Sequence, residues 1–200
     1  MAYSDFTLRK LKEQFGINQT KGYLFPKPLR QITPSEFIVS ELEEASAFPL
    51  SSEKAKSEAI IFPILKEIIR HNNRKFTVFS GYSFEVDSQK NLNGICDYLL
   101  STAPFAVEIS EPVFCLVEAK NRTLEEGFGQ CAAEMYAAQI FNQQIGVPTE
   151  LVYGAVTNGN DWIFMKLDKH TITIDNQLYG ILDLPELLGA FQNIIDFYIK

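Results

Sequence analysis

The stretch PVFCLVEAKN, residues 112–121, begins with an apolar run and ends with a glutamate and a lysine. Apolar runs rich in β-branched and aromatic residues are typical of buried strands. Because side chains alternate along a strand, Glu118 and Lys120 are predicted to point to one face, and Leu116 and Phe114 to share it. Burying either charge alone would cost on the order of several kcal/mol. The strand therefore either emerges into solvent at Glu118 or carries a charged pair with a chemical role.

A second predicted strand, LNGICDYLL at residues 92–100, also carries one acid in an apolar run. That acid, Asp97, is predicted to lie on the same face as Ile95 and Leu99. If the two strands are neighbours, Asp97 can meet Glu118 and the lysine that follows it. Two carboxylates and a lysine at a strand end suit the binding of a divalent metal and the activation of water.

The order of these residues resembles that of the PD-(D/E)xK nuclease superfamily, whose members have the restriction-endonuclease-like fold. It consists of Asp97, an interval of about twenty residues, and then Glu118-Ala119-Lys120. A helix with Glu58 before the strands and a helix with Gln130 after them fit the same order. The resemblance covers residues 51–168, and its individual motifs are short.

The resemblance implies a metal-dependent nuclease that hydrolyses phosphodiester bonds in DNA or RNA with Mg²⁺ or Mn²⁺. The implied metal ligands are two carboxylates, one backbone carbonyl and an additional helix acid: Asp97, Glu118, Ala119 and Glu58. Lys120, assisted by Gln130, would orient or polarise the attacking water. One position departs from the superfamily pattern, since Cys96 rather than proline precedes the aspartate.

Each of these residues also has an ordinary structural interpretation. Glu58 suits an exposed acid at the edge of an apolar helix stripe, and Gln130 suits an exposed helix glutamine. The second hypothesis is therefore a non-catalytic nuclease-like module that binds nucleic acid or a protein partner in a defence, repair or excision system. Whether the chain is an enzyme stays open at this point.

Other enzyme classes have little support in the sequence. There is no G-x-S-x-G motif, no G-x-G-x-x-G motif after a strand, and only two histidines, His71 and His170, which lie far apart. A Ser/His/Asp hydrolase or a His/Cys zinc site is therefore not expected. A glycosidase with an acid pair remains open, although Lys120 so close to Glu118 makes it less attractive.

The charge balance restricts the partners that the chain can bind. A net charge of −7 argues against a large non-specific DNA surface, although it leaves room for a small basic groove. One short basic cluster precedes the predicted strands and two further cations lie beside the proposed site: Arg70, His71, Arg74, Lys75, Lys120 and Arg122. The sequence thus predicts nucleic acid as a partner, with a homodimer or a protein partner as an alternative.

The three cysteines, Cys96, Cys115 and Cys131, lie in apolar stretches and are odd in number. They are expected to be reduced core residues of a cytoplasmic protein. No run of about twenty apolar residues is present, so no membrane partner is expected.

The predicted fold class is α/β, with a restriction-endonuclease-like core whose central mixed sheet is flanked by helices. Residues 1–200 are expected to form a single domain, with an N-terminal helical and extended arm at 1–50 and the nuclease-like core at 51–200. The predicted helices are a short one ending at Gly16, then 35–45, one from Ser51 or Ser52 interrupted at Pro63, one from a Thr123 cap to Gly146, and 184–199.

Two hairpins are predicted, one from strands 76–86 and 94–100, and one from strands 151–157 and 162–167 joined by Asn158-Gly159. The helix between strands 113–120 and 151–157 predicts a parallel pair. Residues 171–174 are predicted to be a short edge strand.

Overall fold

One mixed sheet forms the centre of the computed structural model, which describes residues 2–199. Its eight strands are β1 (Asn18–Gly22), β2 (Thr77–Asp87), β3 (Leu92–Ser101), β4 (Val113–Ala119), β5 (Leu151–Thr157), β6 (Asp161–Asp168), β7 (Thr171–Asp175) and β8 (Tyr179–Gly180). The strand order is β1-β7-β6-β5-β4-β3-β2, and β8 pairs with β6.

Helices flank the sheet. They are α1 (Leu8–Phe15), α2 (Glu36–Ala45), α3 (Glu53–Lys56), α4 (Phe62–His71), α5 (Glu125–Gln144) and α6 (Leu184–Tyr198), with a π-helical turn (Ser57–Ile61) joining α3 to α4. Short 3-10 turns occupy Tyr3–Asp5, Ser88–Lys90 and Ile181–Asp183. The predicted fold class, α/β with a central mixed sheet flanked by helices, is confirmed.

The strand pairing follows the sequence signals closely at the centre of the sheet. Strands β2 and β3 form one antiparallel hairpin, and β5 and β6 form the other. Strands β4 and β5 are parallel, because α5 crosses from the end of one to the start of the other. The two predicted hairpins and the predicted parallel pair are therefore confirmed.

The sheet separates two apolar cores. One core contains α4 and α6 residues such as Leu65 and Phe191. The other contains α1 and α5 residues such as Leu11 and Met135. All three cysteines are buried and free, as expected for core residues. Within residues 2–199, no helix is long and apolar enough to cross a membrane.

The N-terminal arm is part of this architecture. Strand β1 pairs in parallel with β7, so β7 is not the edge strand that the sequence predicts. Nothing in the sequence predicts β1, because Asn18–Gly22 contains no apolar side chain. Farther towards the N-terminus, the hydroxyl of Tyr3 donates a hydrogen bond to the carbonyl of Phe84 on β2, at 2.9 Å.

Helix ends agree with the predicted signals in all but one case. Ser52 caps α3 by accepting a hydrogen bond from the N–H of Ala55, and Gly16 and Gly146 adopt the positive φ expected of helix stops. The predicted Thr123 cap is wrong, because α5 begins at Glu125 and Leu124 occupies the N-cap without a side-chain hydrogen bond.

The regular helix is interrupted next to Pro63, as predicted. The proline lies in the first turn of α4, where its missing N–H is tolerated. The π-helical turn of Ser57–Ile61 comes immediately before α4. A π-helical turn contains more residues per turn than an α-helix. It therefore rotates the side chains of α3 relative to those of α4.

Candidate active site

The proposed site lies where β3 and β4 part, a place that we call the strand fork. The ladder between them ends at the Tyr98–Val117 pair, and Asp97 and Glu118 are the next residues on the two strands. Beyond this point β4 continues to pair only with β5, through Glu118 and Ala119. The two acids therefore stand at an opening in the sheet rather than within a closed ladder.

Asp97 fills this opening by bonding to the neighbouring strand. Its Oδ2 accepts a hydrogen bond from the backbone N–H of Ala119 at 2.8 Å. Regular alternation predicts Asp97 on the face of Leu99, but Cys96 and Leu99 both belong to the α5-side core while Tyr98 belongs to the α4-side core. Alternation is thus interrupted at Asp97.

A second irregularity concerns the face predicted for Phe114. The ladder shifts between the pair Leu100–Cys115 and the pair Ser101–Val113. As a consequence Phe114 packs in the α4-side core, whereas Leu116 packs in the α5-side core. The prediction that Phe114 and Leu116 share one face is wrong, because a register shift exchanges faces.

Glu118 and Lys120 form the centre of a buried polar chain that extends to α5. The Nζ of Lys120 lies 2.5 Å from Glu118 Oε1 and donates to Gln130 Oε1 at 3.3 Å. The Nε2 of Gln130 in turn donates to Glu134 Oε1 at 3.2 Å. The side chain of Glu118 is only 2% exposed and that of Lys120 only 16%, so the two form a desolvated pair and not a strand end in solvent.

The electrostatics of this chain are dominated by burial and by an excess of carboxylates. Burial, followed by repulsion from Asp97, raises the pKa of Glu118 to about 8, against the opposing attraction of Lys120. Burial also raises the pKa of Asp97. Burial and the neighbouring Glu118 raise the pKa of Glu134 well above its ordinary value. For Lys120, burial is the largest single effect and lowers the pKa, but the attraction and hydrogen bond of Glu118, together with the charges of Glu53 and Asp97, outweigh it and the net shift is upward.

A cavity of about 530 Å³ opens beside the strand fork. Asp97, Tyr98 and Ala119 form one wall, and residues of α3 and the π-helical turn form the opposite wall. The hydroxyl of Tyr98 lies 2.5 Å from the hydroxyl of Ser57 and 3.1 Å from its carbonyl, which ties the two walls together. The strand fork is therefore accessible from the α4 side of the sheet.

The structure brings together four of the residues singled out from the sequence: Asp97, Glu118, Lys120 and Gln130. Glu58 lines the same cavity, but its side chain is largely exposed and pairs with Lys54 at 3.8 Å. The part of Glu58 in metal binding stays a prediction.

Two further acids belong to this neighbourhood and were not singled out from the sequence. Glu53 lines the cavity, and its Oε1 accepts a hydrogen bond from the N–H of Asn121 at 3.0 Å. Glu134 is fully buried behind Gln130. The only sequence signal for Glu134 is its position one helical turn after Gln130. Exposed helix residues commonly have the same spacing, so the spacing does not identify Glu134 as a site residue.

The oxygen atoms around the strand fork fit a hard divalent cation such as Mg²⁺ or Mn²⁺. Among residues 2–199, Glu118 Oε2 has no hydrogen-bond partner although it is buried. A cation there would bind this oxygen and offset the repulsion between Glu118 and Asp97. The described residues contain no ready-made cluster of three or more His, Cys, Asp or Glu side chains, so water and phosphate would supply the remaining ligands.

Comparisons with known proteins neither extend nor oppose this interpretation. No protein-family model matches the chain, and no curated protein matches it either. The assignment of a function therefore depends on the strand fork itself.

Proposed function

We propose that the protein is a metal-dependent phosphodiesterase, a nuclease of the PD-(D/E)xK type, with its active site at the strand fork. One observation carries the proposal. Asp97, which bonds to Ala119, lies beside the buried Glu118–Lys120 pair at the wall of an open cavity. Asp97 repels the charged form of Glu118 and so raises its pKa, and a cation between the two acids would offset that repulsion.

Asp97, Glu118 and the carbonyl of Ala119 would hold the metal. When bound, the ion would lower the pKa of a coordinated water and neutralise charge on the scissile phosphate. Lys120 stays protonated next to Glu118, so it is suited to orient a nucleophile or to stabilise negative charge rather than to remove a proton. Gln130 fixes the position of the Lys120 ammonium from the α5 side.

The proposal is tested by metal binding and cleavage together. Calorimetry with Mn²⁺ should detect binding to the wild-type protein and no binding to Glu118→Ala. Asp97→Ala, Glu118→Ala and Lys120→Ala should each abolish Mg²⁺- or Mn²⁺-dependent cleavage of single-stranded and duplex DNA and RNA. Glu126→Gln is the matched control, since it removes an exposed carboxylate at the start of α5. Full activity in any of the three site variants would overturn the proposal.

The alternative, a non-catalytic module with the same fold, is favoured by a different observation. The cavity wall carries the acids Glu53 and Glu58 as well as Asp97, and the chain as a whole has a net charge of −7. Such a wall repels a phosphate backbone unless cations intervene. Nucleic acid or protein binding without cleavage under any divalent metal would support this alternative.

A further inference from the structure

A row of aromatic rings and cations follows α4 away from the strand fork. It consists of Tyr98, Phe62, Lys66, Phe37, Arg70 and Arg74, and we call it the α4 track. Three of its members, Phe62, Lys66 and Arg70, recur every four residues, so they lie along one helix face.

The track begins in the cavity of the proposed active site. The rings of Phe62 and Tyr98 are stacked, with centroids 6.2 Å apart and an interplanar angle of 10°. Both residues line the cavity that also contains Asp97. A ligand that follows the track therefore arrives at the strand fork.

The far end of the track is a second cavity of about 410 Å³, formed by Phe37, Lys66, Ile69, Arg70 and Arg74. The Arg70 guanidinium lies 4.5 Å from the centroid of the Phe37 ring, and the Lys66 ammonium lies 5.4 Å from it. Both distances are within the range of cation–π contacts.

The two phenylalanines of the track are both partly exposed. Phe37 is 42% exposed and Phe62 is 37% exposed. Large apolar side chains that stay exposed side by side commonly mark a binding surface. Phe37 and Phe62 thus each leave part of a ring open to a ligand, while Tyr98, the member of the track next to the strand fork, is only 2% exposed.

The charges of the track are available as well. Lys66 is paired with Glu41 at 3.0 Å, so its charge is largely used within the protein. Within residues 2–199, by contrast, neither Arg70 nor Arg74 forms an ion pair with a carboxylate, and both are exposed. His71 and Lys75 lie exposed beside them.

We infer that the α4 track binds a single-stranded polynucleotide and leads it to the strand fork, an inference that rests on the proposed nuclease function. Flat aromatic faces bind unpaired bases by stacking, and the free guanidinium groups bind phosphates. A duplex hides the faces of its bases. It also needs a broad basic surface, which an acidic chain with one short basic row does not provide. A second copy of this chain would carry the same net charge of −7, so the two copies repel one another overall.

The test is fluorescence anisotropy with a labelled oligothymidylate, a labelled oligouridylate and a duplex DNA of the same length, all in EDTA. EDTA makes binding independent of metal and of cleavage. The wild type should bind at least one single strand about tenfold or more tightly than the duplex. Phe37→Ala should weaken this binding about fivefold or more, whereas Phe37→Trp should retain it.

The charge part of the inference is tested by salt dependence. The double variant Arg70→Ala/Arg74→Ala should reduce the slope of log Kd against log salt by about 1.4, since each phosphate contact on a single strand contributes about 0.7. The control Arg9→Ala/Lys12→Ala removes two exposed charges from α1, which packs on the opposite face of the sheet, and should leave binding unchanged. Unchanged circular dichroism verifies that each variant is folded.

The outcomes separate this inference from the proposed function. Cleavage activity together with single-strand binding that the track variants do not affect would overturn the inference and leave the nuclease proposal standing. Track-dependent binding without cleavage of any substrate would support the track and overturn the nuclease proposal. The absence of single-strand binding, or equal binding of the duplex, would overturn the inference directly. Binding of a second copy, detected by sedimentation and lost in Phe37→Ala, would do the same.

Discussion

The carboxylate of Asp97 on β3 accepts a hydrogen bond from the N–H of Ala119 on β4 at 2.8 Å, at the point where the ladder between these strands has ended. One side chain thus both bridges the strand fork and stands beside Glu118. Its structural role, accepting the Ala119 hydrogen bond, can be separated from its proposed chemical role, binding a metal, because only metal binding requires a negative charge.

We predict that Asp97→Asn retains stability but loses activity. Asparagine keeps an oxygen that can accept the Ala119 N–H, so the free energy of unfolding should change by less than about 1 kcal/mol. Metal-dependent cleavage should fall roughly 100-fold or more, since one charged ligand is lost. Asp97→Ala should lose both stability and metal-dependent cleavage, because alanine can neither accept the hydrogen bond nor bind a metal. Urea denaturation and an activity assay with Mn²⁺ distinguish the two variants, and an active Asp97→Asn protein would contradict the assignment of a metal ligand.

A second prediction concerns pH and stability. The pKa of Glu118 is about 8 in the folded protein, against 4.5 for an ordinary glutamate. Between these values the folded protein holds a proton that the unfolded chain has released, so the free energy of unfolding should fall as pH rises through this window and level off above it. Denaturation in EDTA at pH 5, 7 and 9 measures the trend. Glu118→Gln should reduce the slope without abolishing it, because the pKa values of Glu134 and Asp97 are raised as well, and an identical slope in that variant would refute the assignment.

Lys120→Met should destabilise the protein in a pH-dependent manner. At pH 9 the variant leaves Glu118 either charged and unpaired or forced to take up a proton, and losses of roughly 3–5 kcal/mol are typical when one partner of a buried pair is removed. At pH 6 Glu118 can stay protonated, and the loss should be smaller. Lys54→Met is the control, because its pair with Glu58 is exposed and weak. A loss equal at both pH values would be evidence against the raised pKa.

Glu134 should act as a positioning residue through Gln130. Glu134→Gln keeps an oxygen for the Gln130 amide, whereas Glu134→Leu leaves that amide without its acceptor on α5. We expect the leucine variant to be close to the wild type in stability, because removal of a buried carboxylate with an unbonded oxygen offsets the cost of the unpaired Gln130 amide. Its kcat should fall about tenfold with little change in KM, while Glu134→Gln stays close to the wild type. Equal kcat values in the two variants would show that Glu134 does not position Gln130 for catalysis.

The attachment of the arm to the core can be tested at Gly189 on α6. A Cβ atom at this position would overlap with the carbonyl oxygen of Arg30. Gly189→Ala should therefore destabilise the protein by about 1–3 kcal/mol, as overpacking does. Gly22→Ala is the control, because its added methyl would meet only the methyl of Thr173 at 3.4 Å. Thermal denaturation compares the two, and equal melting temperatures would mean that residues 24–32 can move away from α6 without cost.

Sequence reasoning succeeded where a strong local signal existed. The apolar run before Glu118 and the Asn158-Gly159 turn identify β4 and the β5–β6 hairpin, and the crossover rule then makes β4 and β5 parallel. The short turn after β2 also identifies the β2–β3 hairpin. The pairing of β3 with β4, which brings Asp97 to Glu118, was only a condition of the sequence argument, and the structure shows it.

The remaining features depend on contacts between distant parts of the chain. Strand β1 is polar along its whole length and forms only because the edge of β7 is available to it. The interruption of alternation at Asp97 has no signature in composition. The burial of Glu134 depends on how closely α5 approaches the sheet, which a residue pattern without a clear apolar stripe does not reveal.

The pairing of β1 with β7 has a consequence for how the chain is made. Asn18 leaves the ribosome long before its partner Thr171, because strands β2 to β6 lie between them in the chain. Strand β1 therefore stays unpaired during synthesis until β7 emerges. The β2–β3 and β5–β6 hairpins and the crossover through α5 can form before then. A polar sequence is well suited to that interval, because an unpaired strand without apolar side chains has little tendency to associate with other nascent chains.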